Sequence, residues 1–129
     1  MEEIKITIPI SPRTKKNSSR IITVNGRPMI IPSKLFVDYQ KACKPFIPKV
    51  KPIINFPINL KCVYYMPTKR KVDLNNLLEA TTDMLVHYKV LEDDNSKIVY
   101  SHDGSYVDYD KITPRTEITI TRLEEWIYT

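Results

Sequence analysis

INLKCVYYMPTKRKVDLNNLLEATTDMLVHYKV, residues 58–90, carries two periodicities back to back. Ile58, Leu60, Cys62 and Tyr64 fall on alternate positions, which puts them on one face of a central strand over Ile58 to Tyr65. Pro67 stops that strand, because proline has no N–H for a ladder. After a basic interval, Asp73 opens the clearest helix in the chain. Leu74, Leu77, Leu78, Thr81 and Leu85 recur at i, i+3, i+4, i+7 and i+11, the spacing of one helix face over about residues 74–88. A buried strand followed by an amphipathic helix asks for a sheet with helices packed on it.

Upstream, Ile4, Ile6 and Ile8 alternate with Lys5 and Thr7 and predict a first strand. The loop SPRTKKNSSR follows. Residues Ile21 to Ile31 hold two β-branched runs around Asn25-Gly26, the dipeptide that accepts the positive φ angles of a type I′ hairpin turn. Ser33 is suited to cap a helix from Lys34 to about Lys44, whose Leu35, Phe36, Tyr39, Ala42 and Cys43 have helical spacing. Pro45 and Pro48 end it, and residues 49–56 form a basic, proline-interrupted connection. Downstream, Lys97–Tyr100 and Tyr106–Tyr109 read as strands joined through HDGS, and TEITIT, residues 116–121, as the last strand. The expectation is an α+β (or α/β) sheet with helices packed on it, in one domain spanning residues 1–129. There are no repeats and no low-complexity tract.

The 129 residues, 42% of them hydrophobic, suffice for one core. No apolar run approaches the roughly 20 residues that span a bilayer. MEEIKITIPI has acids where a secretory signal carries cations, so the expected location is cytoplasmic and not the membrane. Cys43 and Cys62 lack the close pairing of zinc ligands and read as buried reduced thiols. Charge is sorted along the chain. Residues 1–71 hold 15 Lys/Arg against 3 Asp/Glu, and residues 72–129 hold 5 against 12. A basic half suits a polyanion, which leaves the acids for another task.

That task centres on residues 69–98, with Asp73 at the helix start and Asp93-Asp94 after its end. Each has a plain structural reading: Asp73 as an N-cap, the later acids as a solvated turn. Gathered together they would suit Mg²⁺, a hard cation bound through one or two carboxylates, water and phosphate oxygens, with Mn²⁺ as a substitute. Such an ion polarises a phosphoryl oxygen and lowers the pKa of bound water. A helix of this length spans about 22 Å. Asp94 therefore meets Asp73 only if the chain runs back along the helix.

The same stretch resembles the RusA family of Holliday junction resolvases. The matching residues are Lys69-Arg70-Lys71, Asp73, Asn76-Leu77, Asp83-Met84-Leu85, Val90, Asp93-Asp94 and Ser96 to Ile98. The loop PISPRTKKNSSR is similar to the family's proline-rich N-terminal loop. The resemblance implies a mixed β-sheet with two main helices, and a homodimer that cleaves branched DNA, the four-way junction, with a divalent metal, three aspartates and a lysine. Asp73 takes the place of the first carboxylate and Asp94 of the last, with Asp93 beside it. Two positions depart: the middle aspartate falls on Asn75 and the lysine on Glu79. Asn75 still offers a carbonyl oxygen. Glu79, one turn later on the same face, restores a carboxylate. Three readings stand open: a set of Asp73, Glu79 and Asp94; an Asp→Asn exchange at position 75 that traps an inactive complex; or a junction-binding protein with little cleavage.

Two basic groups would hold the DNA: Arg13, Lys15, Lys16 and Arg20 in the first loop, and Lys69, Arg70 and Lys71 just before the helix. A two-fold junction needs two matched cuts, which a C₂ dimer supplies. Phe46, Ile53, Ile54, Phe56 and Trp126 divide between core and interface in a way that sequence does not resolve. Asp103, Asp108 and Asp110 read as loop and strand-edge charges, and His87 and His102 as surface residues.

Overall fold

The computed structural model describes residues 3–15, 20–31 and 34–123. Ser33, Lys16, Trp126 and the Arg20 side chain lie outside the described residues. The order is β1 (Glu3–Ile8), β2 (Arg20–Val24), β3 (Arg27–Ile31), α1 (Lys34–Cys43), β4 (Ile58–Met66), α2 (Leu74–His87), β5 (Val99–Ser101), β6 (Tyr106–Tyr109) and β7 (Arg115–Arg122), with a short 3₁₀ turn at Lys44–Phe46. This is the sheet with packed helices that the periodicities predict, and the mixed sheet with two main helices that the resemblance implies. No helix among the described residues is long and apolar enough to cross a membrane.

The sheet runs β1-β7-β4, with β5 and β6 both beside β4. β7 is antiparallel to β1 and to β4, while β5 and β6 are parallel to β4. Ile58, Leu60, Cys62 and Tyr64 are buried, as their alternation requires. Leu77, Leu78, Met84 and Leu85 of α2 share one core with them and with Ile118 and Ile120 of β7. Each such side chain contributes about 1.5–3 kcal/mol on burial. Ile54 joins the core, whereas Phe46 remains exposed.

Two local departures have visible causes. β5 begins at Val99, not Lys97, because Asn95 ties up the preceding residues: its side-chain oxygen accepts from the Lys97 N–H and its carbonyl from those of Ile98 and Val99. HDGS does not merely link strands. Ser105 Oγ accepts from the Cys62 N–H at 2.9 Å, and His102 Nδ1 lies 2.9 Å from the Leu60 carbonyl oxygen. Side chains of the link between β5 and β6 thus replace ladder bonds to β4, and His102 is half-buried rather than a surface residue. The tip of β2–β3 has Asn25 at φ 52° and Gly26 at φ 75°, as a type I′ turn requires. Both cysteines are buried and free.

Candidate functional site

α2 starts where it does because Asp73 caps it. The Asp73 carboxylate accepts from the Asn75 N–H at 2.8 Å, satisfying one of the helix's open donors. Asn75 and Glu79 are exposed and Asp83 is half-buried. Steps of four residues put these three on one helix face. The helix ends at His87, and Lys89, at φ 61°, turns the chain. The N–H groups of Val90 and Leu91 then return to the Leu85 carbonyl, and Glu92 bonds back to Ile54. This reversal carries the next residues back along α2.

Asp93 and Asn95 shape the following turn. Asp93 accepts from the Asp94 N–H at 2.8 Å and from the Asn95 amide at 3.2 Å. These two bonds hold the Asp93 carboxyl below its ordinary value. Asp94 moves the other way: its hydrogen bond with the Asp93 side chain, partial loss of water and the charges of Asp93 and Asp83 push its pKa up. Asp83, Asp93 and Asp94 line one depression of about 370 Å³, with Lys15, Gln40 and His87 on its rim. Lys15 forms an ion pair with Asp83.

The structure therefore brings Asp94 to Asp83, not to Asp73. Asp83 lies ten residues beyond Asp73, about 15 Å along the helix axis. Asp73 and Asn75 occupy the first turn, Glu79 the second and the Asp83–Asp94 depression the third. Among the described residues, no set of three or more His, Cys, Asp or Glu side chains is gathered closely enough to hold a metal ion. Mg²⁺ needs only one or two protein carboxylates beside water and phosphate oxygens, so the donor chemistry still suits it.

The cations border the same helix. Arg13 shares a second depression, about 220 Å³, with Val72 and Leu77 at the start of α2. Lys69, Arg70 and Lys71 are exposed in the connector that leads into Asp73, and the Lys69 ammonium sits 5.3 Å from the centre of the Tyr109 ring. Lys15, expected only as a DNA contact, faces the acids instead. Asp83 matches the family pattern only as part of a helix continuation; its place four residues after Glu79 is the signal that puts it on the same helix face. Asp103, Asp108 and Asp110 do sit in turns and on the sheet edge. Asp110 is engaged by Thr113 and Arg115 and does not enter the depression. His87 is exposed and stacks edge-on with Tyr88.

None of the curated proteins compared matches this chain. A sequence profile described as Endodeoxyribonuclease RusA matches residues 9–121. With its sheet, its two helices and that match across most of its length, the chain belongs to the endodeoxyribonuclease RusA family.

Proposed function

We propose that this protein is a structure-selective DNA endonuclease that resolves four-way junctions by Mg²⁺-assisted phosphodiester hydrolysis, in recombination and repair, as a homodimer. The observation that carries the reading is the run of oxygen donors along one side of α2, bordered by Arg13, Lys15 and the Lys69–Lys71 connector. Lys69, Arg70 and Lys71 would grip phosphates immediately before Asp73, which sets a strand along the helix. Asp94, with Asp83 beside it, would hold the cation; Asp73, Asn75 and Glu79 extend the donor face toward the incoming strand. When bound, the ion supplies Lewis-acid polarisation and an acidified water. The pKa of Asp94 is raised by its hydrogen bond with the Asp93 side chain, by partial loss of water and by the charges of Asp93 and Asp83.

A second reading is favoured by Asn75 and by the capping bond of Asp73: a junction-binding protein with little cleavage. Asp94→Asn, assayed for cutting and binding of a synthetic four-way junction, separates the two. The enzyme reading expects cutting to fall by about 10²–10³-fold, the loss typical of one electrostatic catalytic group, with binding changed less than about 3-fold (about 0.6 kcal/mol). Absence of cutting by the unaltered chain in both Mg²⁺ and Mn²⁺ would establish the binding reading.

A further inference from the structure

The β2–β3 ribbon plays no part in the site above, and its composition is unusual for a free hairpin. Its strands pair only with each other and do not join the main sheet. None of its described side chains belongs to the hydrophobic core or packs against it as a partly buried hydrophobic. Ile21 and Ile30 are directly opposed across the ribbon and are 72% and 76% exposed. Ile22 and Met29 form the next cross-strand pair, on the opposite face. Two large aliphatic side chains opposed across an open ribbon leave water-exposed apolar area that a partner would cover.

Charge identifies the partner's chemistry. Residues 4–37 contain Lys5, Arg13, Lys15, Lys16, Arg20, Arg27 and Lys34, and no acid. A ribbon embedded in so uniform a positive stretch repels other basic surfaces, including the same ribbon of a second copy, and attracts a polyanion. Its strands of five residues reach about 17 Å. A two-stranded ribbon fits a DNA groove, and aliphatic side chains inserted between base steps hold unstacked bases. Base-pair faces are laid open where duplexes exchange strands and are covered in a continuous duplex.

Resting on the DNA reading above, we propose that the β2–β3 ribbon is a wedge for branched DNA: Ile21 and Ile30 seat against base faces at the branch point, while neighbouring cations hold the phosphates. The ribbon then gives preference for a branch over linear duplex, separately from the acids on α2.

The test is the double substitution Ile21→Thr with Ile30→Thr. Threonine is β-branched, so strand propensity is kept, and exposed positions leave the core untouched. Binding is measured in EDTA, where nothing is cut, to a four-way junction carrying 2-aminopurine at its centre and to a linear duplex of equal length. The wedge predicts junction affinity lower by about 30-fold (about 2 kcal/mol at about 1.4 kcal/mol per decade), duplex affinity changed less than about 3-fold (about 0.6 kcal/mol), and no fluorescence rise at the branch. Unchanged junction affinity and fluorescence would overturn the wedge alone. So would equal weakening on both DNAs with dissociation into monomers, which would make the ribbon a contact between copies. No junction preference by the unaltered chain would remove both this inference and the functional reading beneath it.

Discussion

The orientation of α2 on the sheet rests partly on one buried polar contact, and its removal has a computable signature. Tyr64 of β4 is 1% exposed, and its hydroxyl lies 2.6 Å from Thr81 Oγ1 on α2. Thr81 already donates to the Leu77 carbonyl at 3.0 Å, so Tyr64 is the donor between the two hydroxyls. Burial pushes the Tyr64 pKa far above its ordinary value, which keeps the proton in place at any working pH. Tyr64→Phe removes one hydrogen bond and leaves Thr81 still bonded to Leu77, a loss of about 1 kcal/mol. Thr81→Val keeps the shape but leaves the buried Tyr64 hydroxyl only the weak Cys62 thiol as a partner, a loss of about 2 kcal/mol. The double variant has no orphan and returns to about 1 kcal/mol, so the pair is non-additive by about 2 kcal/mol. Urea unfolding at pH 7 reads these values directly, provided the denaturant slope is unchanged. Equal single losses that simply add in the double variant would refute the donor assignment and the asymmetry built on it.

Three further outcomes follow from the charges and thiols. The logarithm of junction affinity should fall with the logarithm of salt at a slope near about −5 if about six cations neutralise phosphates, and Lys69→Ala should reduce that slope by about 1; a slope near zero would contradict the basic interface. Asp110 is held well below the usual carboxylate range by the Thr113 N–H, the Thr113 hydroxyl and Arg115. A carboxyl depressed in the fold stabilises above its unfolded value near about 3.9 and loses that contribution as pH falls toward its folded one. Asp110→Asn should therefore flatten the decline of the thermal midpoint between about pH 4 and pH 2, and an unchanged decline would remove Asp110 as its source. Burial pushes the Cys43 and Cys62 thiols up to about 11 and about 12. Neither should react with a thiol reagent at pH 8 until the protein is unfolded, and rapid native labelling of either would contradict its burial.

Most elements were legible because each carries its own period and its own stop. Ile58 to Tyr64 alternate, Leu74 to Leu85 repeat at helical spacing, and Asn25-Gly26, Pro45 and Pro67 mark the breaks. The start of β5 was not legible, since it depends on Asn95 bonding three later N–H groups, a local competition that propensity does not register. The acids were legible as participants but not as partners. Which helical turn Asp94 meets depends on how far the chain travels back after Lys89, and that distance is set by the bonds of Val90 and Leu91 to Leu85 and of Glu92 to Ile54. Lys15 could be placed beside Asp83 only once the first loop's path over α1 and α2 was known. Asp73 shows the opposite case: its capping role was readable from sequence, and the structure realises it.

If acids on and beside α2 cut branched DNA held by neighbouring cations, cutting must depend on the branch, on a divalent ion and on Asp94. Single-turnover incubation of the chain with a synthetic four-way junction and with a matched linear duplex, in Mg²⁺ and in EDTA, tests it most directly. The expected result is symmetric cuts near the branch in Mg²⁺ only, an intact duplex, and cutting about 10²–10³-fold lower in Asp94→Asn with binding kept. Cleavage that persists in EDTA or is undiminished in Asp94→Asn, or equal cutting of junction and duplex, would contradict it.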